Sequence, residues 1–481
     1  MLFNSLEFFV FLPFVLLLFA TAPASLRWLL LLLASLLFYG LSRPANLLFL
    51  GMVTVVTCAI GWALHHAAHP AVRRFSLAVG LAALFGSLVA FKFYDFAAVE
   101  IEGSLAVALP RLGISAPAGY SFYVFSAASY LIDAYARRIE SFDAGRLALY
   151  AAWFPKILAG PIERAPAFLP QVARPTTHAD LIVSALPLIV WGLFKKVVIA
   201  DNLSPMVDRN FAIAAYASPV ELLISVYFFA FQIYCDFSGY TDIAVGVSRL
   251  FGIRLMENFR HPYLSRSTAE FWGERWHISL GRWFRDYLYI PLGGSRAGRL
   301  RQYLNVMLVF VLSGLWHAGL GYGVGWTFLI WGALNGAYQW AGLATRGLWQ
   351  RLAAWMPAPL RHSAAVSLLR VLLTFHLIAL SWIFFRAKTV GDAIIVLRKI
   401  AINIAEFPSL LIGYPFTAEV AMGVALIALL LIVEVLDERR PIAQRLATAS
   451  IPVRWGAYYA MIFGLLILGR WQAKEFMYMQ F

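Results

Sequence analysis

The sequence predicts an all-α protein that crosses a membrane many times. Of its 481 residues, 61% are hydrophobic and only 13% are charged, whereas an average soluble protein has roughly 45–50% and about 25%. The mean hydropathy is +0.74. Since a helix needs about 20 apolar residues to cross the hydrocarbon layer, we expect roughly 10 to 12 spans plus re-entrant and interfacial helices. The apolar runs lie near residues 1–20, 27–40, 45–64, 76–96, 120–136, 148–159, 181–200, 218–235, 303–316, 324–341, 364–385, 418–436 and 453–469.

The first apolar run is predicted to be a retained helix. It contains Glu7 and no Lys or Arg before Arg27, whereas a signal peptide starts with a positively charged region. No repeat at a fixed period is visible along the chain. We therefore predict a single integral membrane domain over residues 1–481.

Two of the runs are too short to span and end in Gly and Pro. The run near 148–159 leads into LAGPIERAP, and the run near 303–316 leads into SGLWHAGLGYGVG. Non-helical backbone at membrane depth is tolerated only where protein or a water-filled cavity surrounds it. Both stretches are therefore predicted to be half-length or re-entrant helices enclosed by protein.

Basic charge is concentrated in one segment. The chain has 39 Lys and Arg against 25 Asp and Glu, a formal net charge of +14. The arginine-rich segment, residues 249–301, holds ten arginines and four acids among Trp and Tyr residues, a mixture typical of an interfacial position. By the positive-inside rule we place it on the cytoplasmic side, together with the loops 65–74 and 136–146. The charge thus predicts membrane orientation and contact with lipid, and no nucleic-acid partner.

Ionisable side chains inside the apolar runs are the first functional candidates, because burying each one in a membrane costs about 2.5 to 3.5 kcal/mol. Asp133, in SYLIDAYARR, is predicted to pair with a nearby Arg or a Tyr hydroxyl as internal bracing. The full set comprises Asp133, Lys156, Glu163, Lys195, Lys196, Asp201, Asp236, Asp242, His317, His376 and Arg386.

His317 has the most suggestive setting in this set. It follows a long apolar run, has Trp316 beside it, and precedes a glycine bend at residues 319–325. A neutral imidazole, with an ordinary pKa of about 6.5, is able to take a proton from a hydroxyl and return it to a leaving group. Backbone N–H groups of the glycine bend are candidate oxyanion donors. The alternative is a structural histidine that donates to a helix carbonyl.

The arginine-rich segment contains a second candidate histidine and three candidate anion ligands. His277 lies in FWGERWHISLGRWFRDYLYIPLGG, and the alternative for it is a solvated or interfacial side chain. Arg275, Arg282 and Arg285 suit the phosphates of a soluble donor molecule, because a guanidinium binds phosphate oxygens in pairs. Equally, they suit anchoring of the segment to anionic lipid headgroups.

We predict neither a metal site nor a tightly bound cofactor. The tight histidine cluster at residues 65–69 lies at a membrane-edge loop with no neighbouring carboxylate or Cys, which is a poor metal-ligand set. Cys58 and Cys235 each lie inside an apolar run and are predicted to be small buried hydrophobes. Phosphate-binding loops, dinucleotide fingerprints and nucleophile elbows do not occur in the sequence.

Several long motifs indicate a family. Residues 232–294, which run from QIYCDFSGYTDIAVG to RWHISLGRWFRDYLYIPLGG, closely resemble the membrane-bound O-acyltransferase (MBOAT) family. Within it the match is to the bacterial alginate O-acetyltransferase branch, which includes cellulose, peptidoglycan and teichoic-acid acylation proteins. The resemblance runs almost end to end. Supporting motifs are AGYSFYVFSAASYLIDAY (118–135), WFPKILAGPIERA (153–165), SGLWHAG (313–319), WTFLIWGALNG (326–336) and EFMYMQF (475–481).

The resemblance implies a reaction and its residues. It implies a membrane O-acyltransferase that moves acetyl from a cytosolic thioester, acetyl-CoA or an acyl carrier, to a hydroxyl of an extracytoplasmic, alginate-like polysaccharide or to a periplasmic partner protein. His317 in the LWH motif would be the catalytic residue, and His277 in the RWHxS motif would lie near the cytoplasmic donor entrance. A bacterial inner-membrane location and a periplasmic acyltransferase partner are also implied. The chain departs from these relatives after His317, where its glycine bend is longer, and at Asn335, where they often carry His.

Two other functions stay open at this stage. One is a carrier or channel that exports an acyl species without catalysing its transfer. The other is a structural membrane subunit of an exopolysaccharide synthase, in which His317 merely packs.

Overall fold

The computed structural model describes residues 1–105, 108–114, 116–177, 179–318, 325–355, 357–361, 363–472 and 474–477. These residues form helices and connecting loops without any β-strand, which confirms the prediction of an all-α membrane protein. The α-helices are Leu6–Thr21, Arg27–Gly40, Asn46–His66, Pro70–Leu88, Tyr94–Leu105, Tyr120–Tyr135, Ala144–Ala152, Ala165–Ala173, Ala179–Leu193, Asp201–Ala212, Pro219–Leu250, Thr268–Glu270, Ile278–Phe284, Arg299–His317, Trp326–Trp355, Ala358–Arg361, Ala364–Arg386, Val390–Ile402, Phe407–Ile412, Ala418–Arg439, Ile442–Thr448 and Ile451–Leu468. Shorter π-helical and 3₁₀ stretches occur at Val89–Phe93, Phe194–Ala200, Pro262–Leu264, Phe271–Arg275 and Arg285–Tyr289.

Seven helices of the described residues are long and apolar enough to cross a membrane. This number is smaller than the expected 10 to 12 because the apolar helices Leu6–Thr21 and Arg27–Gly40 have only 16 and 14 residues and other apolar runs form short buried helices. The helix Tyr120–Tyr135, for example, has 16 residues, and nearly all of them are buried. The spanning helices are Asn46–His66, Pro70–Phe93, Ala179–Ala212, Pro219–Leu250, Pro359–Arg386, Ala418–Arg439 and Ile451–Leu468.

The short run near residue 150 is a half-length helix followed by buried irregular backbone, as predicted. Its helix, Ala144–Ala152, has nine residues, and the chain that follows is buried from Trp153 to Ile162. Side chains satisfy this backbone. The Tyr240 hydroxyl donates to the Pro155 carbonyl at 3.1 Å, and the Phe154 N–H donates to Ser35 Oγ at 3.2 Å. Protein therefore replaces the water that this backbone would otherwise need.

The chain divides into two compact units, each assembled from separate stretches. Unit 1 comprises Met1–Leu193, Gly239–Glu257 and Trp471–Gln480, whereas unit 2 comprises Phe194–Ser238 and Asn258–Arg470, with Phe481. Both predicted histidines, His277 and His317, belong to unit 2. The prediction of one membrane domain over the whole chain stays a prediction.

Within unit 2, two helices pack closely through glycine. We call Arg299–His317 the histidine helix and Trp326–Trp355 the tryptophan helix. A Cβ atom added at Gly314 would lie 2.3 Å from the Phe328 carbonyl oxygen, and one at Gly332 would lie 2.4 Å from the Phe310 carbonyl oxygen. A larger residue at either place would push the helices apart, as in other membrane helix pairs that meet at small residues.

The arginine-rich segment is a succession of short helical turns. It begins at the end of Pro219–Leu250 and continues through irregular chain and the short helices between residues 262 and 289 before Arg299 starts the histidine helix. Such short turns agree with an interfacial position rather than a span. The cytoplasmic location of the segment stays a prediction.

Candidate active site

His317 is the last residue of the histidine helix and is 2% exposed. Its Nδ1 lies 2.7 Å from the Ser313 carbonyl oxygen, one turn earlier. Because a carbonyl oxygen only accepts, Nδ1 carries the proton and Nε2 carries the lone pair of the neutral ring. A purely structural histidine would also make this hydrogen bond to the Ser313 carbonyl oxygen. The same bond gives the ring the tautomer that a general base needs, with the lone pair on Nε2.

Aromatic rings surround the His317 imidazole. The centroids of Trp316, Trp331 and Phe385 lie 4.7, 5.2 and 5.3 Å from its centroid. Behind them Trp382 stacks on Trp331, with centroids 5.8 Å apart and planes inclined by 17°. These rings form an apolar wall that excludes bulk water and strengthens electrostatic interactions at the imidazole.

His277 lies in the same site as His317. It is 3% exposed, and its ring contacts Phe237 at 4.8 Å and Trp316 at 6.1 Å between centroids. Burial lowers the pKa of His277 well below its ordinary value, and proximity to His317 lowers it further. Because His277 is buried, the alternative of a solvated side chain is wrong, and the structure brings together two histidines that are 40 positions apart in the sequence.

His277 also has an unusual backbone. Its φ is +44°, in the left-handed region, which a non-glycine residue adopts only when the surrounding structure enforces it. It stands directly before the short helix Ile278–Phe284, and the next N–H, of Ile278, donates to the Asn258 carbonyl at 3.0 Å. Strain of this kind is common at functional sites.

Arg275 has a use that the sequence did not predict. Its Nε lies 2.7 Å from Glu270 Oε1, and its two terminal nitrogens lie 2.7 and 3.2 Å from the carboxylate oxygens of Glu438. The guanidinium thus braces the arginine-rich segment against the end of the helix Ala418–Arg439. Binding of donor phosphates by Arg275 stays a prediction, and these contacts do not support it.

The other two predicted arginines face outward. Arg282 is exposed. Arg285 is 58% exposed, and its Nε lies 2.8 Å from Asp286 Oδ1. Their positions are compatible with an anionic donor and equally with lipid headgroups, so their role stays a prediction.

Four other predicted candidates form buried or half-buried ion pairs. Asp133 accepts a hydrogen bond from Arg138 at 2.9 Å, as expected for internal bracing. Lys196 Nζ lies 2.8 Å from Asp236 and 3.0 Å from Asp201, and all three side chains are buried in unit 2. Such a cluster is costly to break, since removing the cation leaves two carboxylates in an apolar interior.

Sequence reasoning missed most of the wall around His317. Trp331, Trp382 and Phe385 come from two other helices and are 14 to 68 positions away. The available signal was the high Trp content of the chain, of which we interpreted only the Trp residues of the arginine-rich segment, as interfacial. Of the glycine bend with the predicted oxyanion donors, only Gly325 belongs to the described residues, and residues 319–324 lie outside them. The end of the C-terminal EFMYMQF motif, residues 478–481, also lies outside the described residues.

Comparisons with known proteins place the chain. The family model of MBOAT, the membrane-bound O-acyltransferase family, matches residues 31–385, a range that includes both histidines. The "Probable alginate O-acetylase AlgI" of Azotobacter vinelandii is 36% identical over 412 residues, which cover 82% of this chain and 76% of that protein. The "Peptidoglycan O-acetyltransferase" of Helicobacter pylori is 34% identical over 438 residues, which cover 83% and 79%.

The name of a third, more distant relative specifies a different acyl group. The "Teichoic acid D-alanyltransferase" of Bacillus subtilis is 27% identical over 281 residues, which cover 56% of this chain and 68% of that protein. The matching family model, the high coverage of the first relatives and the spanning helices agree with one another. The chain therefore belongs to the membrane-bound O-acyltransferase family and is a multi-pass membrane acyltransferase.

Proposed function

We propose that this protein is an O-acetyltransferase of the bacterial inner membrane. In this proposal it moves acetyl from a cytosolic thioester, acetyl-CoA or an acyl carrier, to a hydroxyl of an extracytoplasmic, alginate-like polysaccharide. Delivery is either direct or through a periplasmic acyltransferase partner. The relatives support the acyl group and the acceptor class, because the two most similar ones described above carry O-acetylation of alginate and of peptidoglycan in their names.

The observation that carries the proposal is the hydrogen bond from His317 Nδ1 to the Ser313 carbonyl oxygen, at 2.7 Å. This bond fixes the tautomer in which Nε2 carries the lone pair of the neutral ring. In the proposed reaction Nε2 accepts the proton of the acceptor hydroxyl while the hydroxyl oxygen attacks the thioester carbonyl carbon. When the resulting tetrahedral intermediate collapses, the carbon–sulfur bond breaks. The imidazolium then returns the proton to the departing sulfur, so that an ester and a thiol are formed and His317 is neutral again.

The surroundings of His317 suit this chemistry. The aromatic wall holds the ring in one orientation, and the low polarity of the site favours a base that begins and ends each turnover uncharged. Burial lowers the pKa of His277, so that His277 adds no positive charge beside His317. Arg282 and Arg285 remain exposed for the anionic head of the donor, which stays on the cytosolic side while the acetyl group alone reaches His317.

The test uses purified protein in detergent, labelled acetyl-CoA and a soluble oligomannuronate acceptor. His317→Ala is expected to abolish acetyl transfer while the protein still inserts and accumulates. His376→Ala is the matched control, because His376 also bonds a carbonyl one turn earlier, Leu372 O at 2.7 Å, but is exposed and faces Tyr227. Wild-type transfer by His317→Ala would contradict the proposal.

The same assay separates catalysis from export without transfer. A carrier or channel needs two compartments to show its activity, whereas an acyltransferase modifies the acceptor in detergent. Transfer that requires sealed vesicles would therefore favour the carrier, and transfer without them favours the enzyme.

A further inference from the structure

Asn335 is a polar side chain buried in the middle of an apolar site. It lies one turn after Trp331 on the tryptophan helix and is 0% exposed. Its Nδ2 donates to the Trp331 carbonyl at 2.9 Å, and its Oδ1 accepts from the Trp272 indole Nε1 at 3.0 Å. The bond to the Trp331 carbonyl orients the Asn335 amide. The bond from the Trp272 indole then fixes the position of Trp272 relative to this amide.

Asn335 connects Trp331, a ring of the wall around His317, with Trp272, which packs against Trp331 and Trp382. The ring centroids of Trp272 and Trp331 lie 5.4 Å apart at an interplanar angle of 80°. Trp331 contacts the His317 ring at 5.2 Å, and Trp272 also packs on Trp382 at 6.0 Å. Contacts between rings depend weakly on the rotation of each ring, whereas the indole N–H bond is directional. The Asn335 amide therefore selects one rotation of Trp272.

We propose that Asn335 is a positioning residue for acyl transfer. It holds Trp272 and, through this ring, Trp331, and so sets the surface against which His317 Nε2 meets the reactants. The proposal rests on the proposed function, because it takes His317 as the base. Without the amide, the Trp272 indole would be a part-buried donor with no partner of fixed geometry, and the wall would sample several arrangements.

A histidine at position 335 is able to replace the amide in part. Helical histidines in this protein repeatedly bond Nδ1 to the carbonyl one turn earlier, at 2.7 to 2.9 Å. A ring at position 335 would make the same bond to Trp331 O and leave Nε2 to accept from Trp272. The two ring nitrogens flank one carbon, as the oxygen and nitrogen of an amide do. Since Nε2 lies farther from the backbone than Oδ1, we expect partial rather than full replacement.

The experiment compares variants of the full-length protein purified in detergent, with labelled acetyl-CoA and soluble oligomannuronate. Asn335→Leu removes both amide bonds, and Trp272→Phe removes the indole N–H while keeping a ring. Each is expected to lower kcat about tenfold, the upper range for one hydrogen bond, with less than about a twofold change in the KM for acetyl-CoA. The double variant is expected to be no slower than the single variants, because both remove the same bond.

Two further variants separate positioning from folding. Asn335→His is expected to recover part of the lost kcat. Trp340→Phe removes a different indole bond of the tryptophan helix, from Trp340 Nε1 to the Tyr303 carbonyl oxygen of the histidine helix at 2.7 Å, and is expected to keep the wild-type kcat. Its thermal unfolding in detergent shows how much stability one such bond contributes.

Several outcomes would overturn the inference. They are a wild-type kcat in Trp272→Phe, losses that add in the double variant, or an equal loss in Trp340→Phe. Trp272→Phe keeps the test valid if Asn335→Leu does not fold. Failure of the proposed function would look different, because His317→Ala would then transfer acetyl like the wild type whatever the Asn335 series shows.

Discussion

His261 is expected to make this protein less stable as the pH rises above neutrality. Its Nε2 lies 3.0 Å from Asp437 Oδ2, and its Nδ1 lies 3.9 Å from Glu434 Oε1. Glu434 also accepts a hydrogen bond from the Tyr234 hydroxyl. Burial by itself lowers the pKa of His261, but the hydrogen bond to Asp437 and the nearby negative charge of both carboxylates outweigh burial and raise the pKa to about 9.

The sign and the size of the effect follow from this pKa. An unfolded histidine has a pKa of about 6.5, so the folded state favours the protonated ring. The stabilisation is fully present below about pH 6.5 and is lost as the pH rises through about 9. A difference of about 2.5 pKa units corresponds to about 3 kcal/mol. Because the side chains of His261 and Asp437 are 19% and 35% exposed, solvent screening reduces the expected contribution to about 1–2 kcal/mol.

The assay is thermal unfolding in detergent, followed by tryptophan fluorescence, for the wild type and His261→Gln. At about pH 6 the variant is expected to unfold at a lower temperature than the wild type, and the gap should close by about pH 10. Comparing the two proteins at each pH cancels the titration of other groups. A gap of constant size across this range would refute the reasoning, since it would show that the charge of His261 does not contribute.

Three further predictions concern the acyl group, a buried ion cluster and the donor. The Phe385 ring lies 5.3 Å from the His317 ring, and Phe385→Ala is expected to raise the rate of butyryl transfer relative to acetyl transfer about tenfold by freeing space for methylene groups. Phe375→Ala, on the same helix, should leave this ratio unchanged. Equal ratios in both variants would argue against a size limit at Phe385. Lys196→Met is expected to lower stability by about 3–5 kcal/mol because it removes the cation that contacts two buried carboxylates. A loss no larger than the roughly 1 kcal/mol expected for the exposed pair of Arg146 and Asp143 would contradict this. Arg282→Gln is expected to raise the KM for acetyl-CoA several-fold with little change in kcat, and this rise in KM should shrink at high salt. An unchanged KM in detergent would instead favour contact of Arg282 with lipid headgroups.

Features that depend on short stretches of chain were predictable from the sequence. The half-length helix at Ala144–Ala152 was visible because Gly and Pro follow it within one apolar run. The pairing of Asp133 with Arg138 was also expected, since only five positions separate the two side chains in the sequence. His317 stood out because an ionisable group at the end of an apolar run is rare and costly.

Features that depend on long-range packing were not predictable in this way. Arg275 was assigned to donor phosphates, but its carboxylate partner Glu438 lies 163 positions away. Lys196 and Asp236, 40 positions apart, were recognised as candidates without being recognised as partners. Apolar periodicity indicates which face of a helix is buried, but it carries no information about the face that it meets.

Composition alone was enough to decide that lipid surrounds this chain, because 61% hydrophobic residues cannot all be buried in a water-soluble fold. Local pattern was enough to single out His317, whereas the family resemblance was needed to single out His277. The tertiary structure decided that the two histidines share one aromatic site, and that Gly314 and Gly332 bring Trp331 against the imidazole. It also decided the proton position, because the Nδ1 bond to a carbonyl and the surrounding rings are set by backbone conformation and packing, which no single stretch of sequence contains.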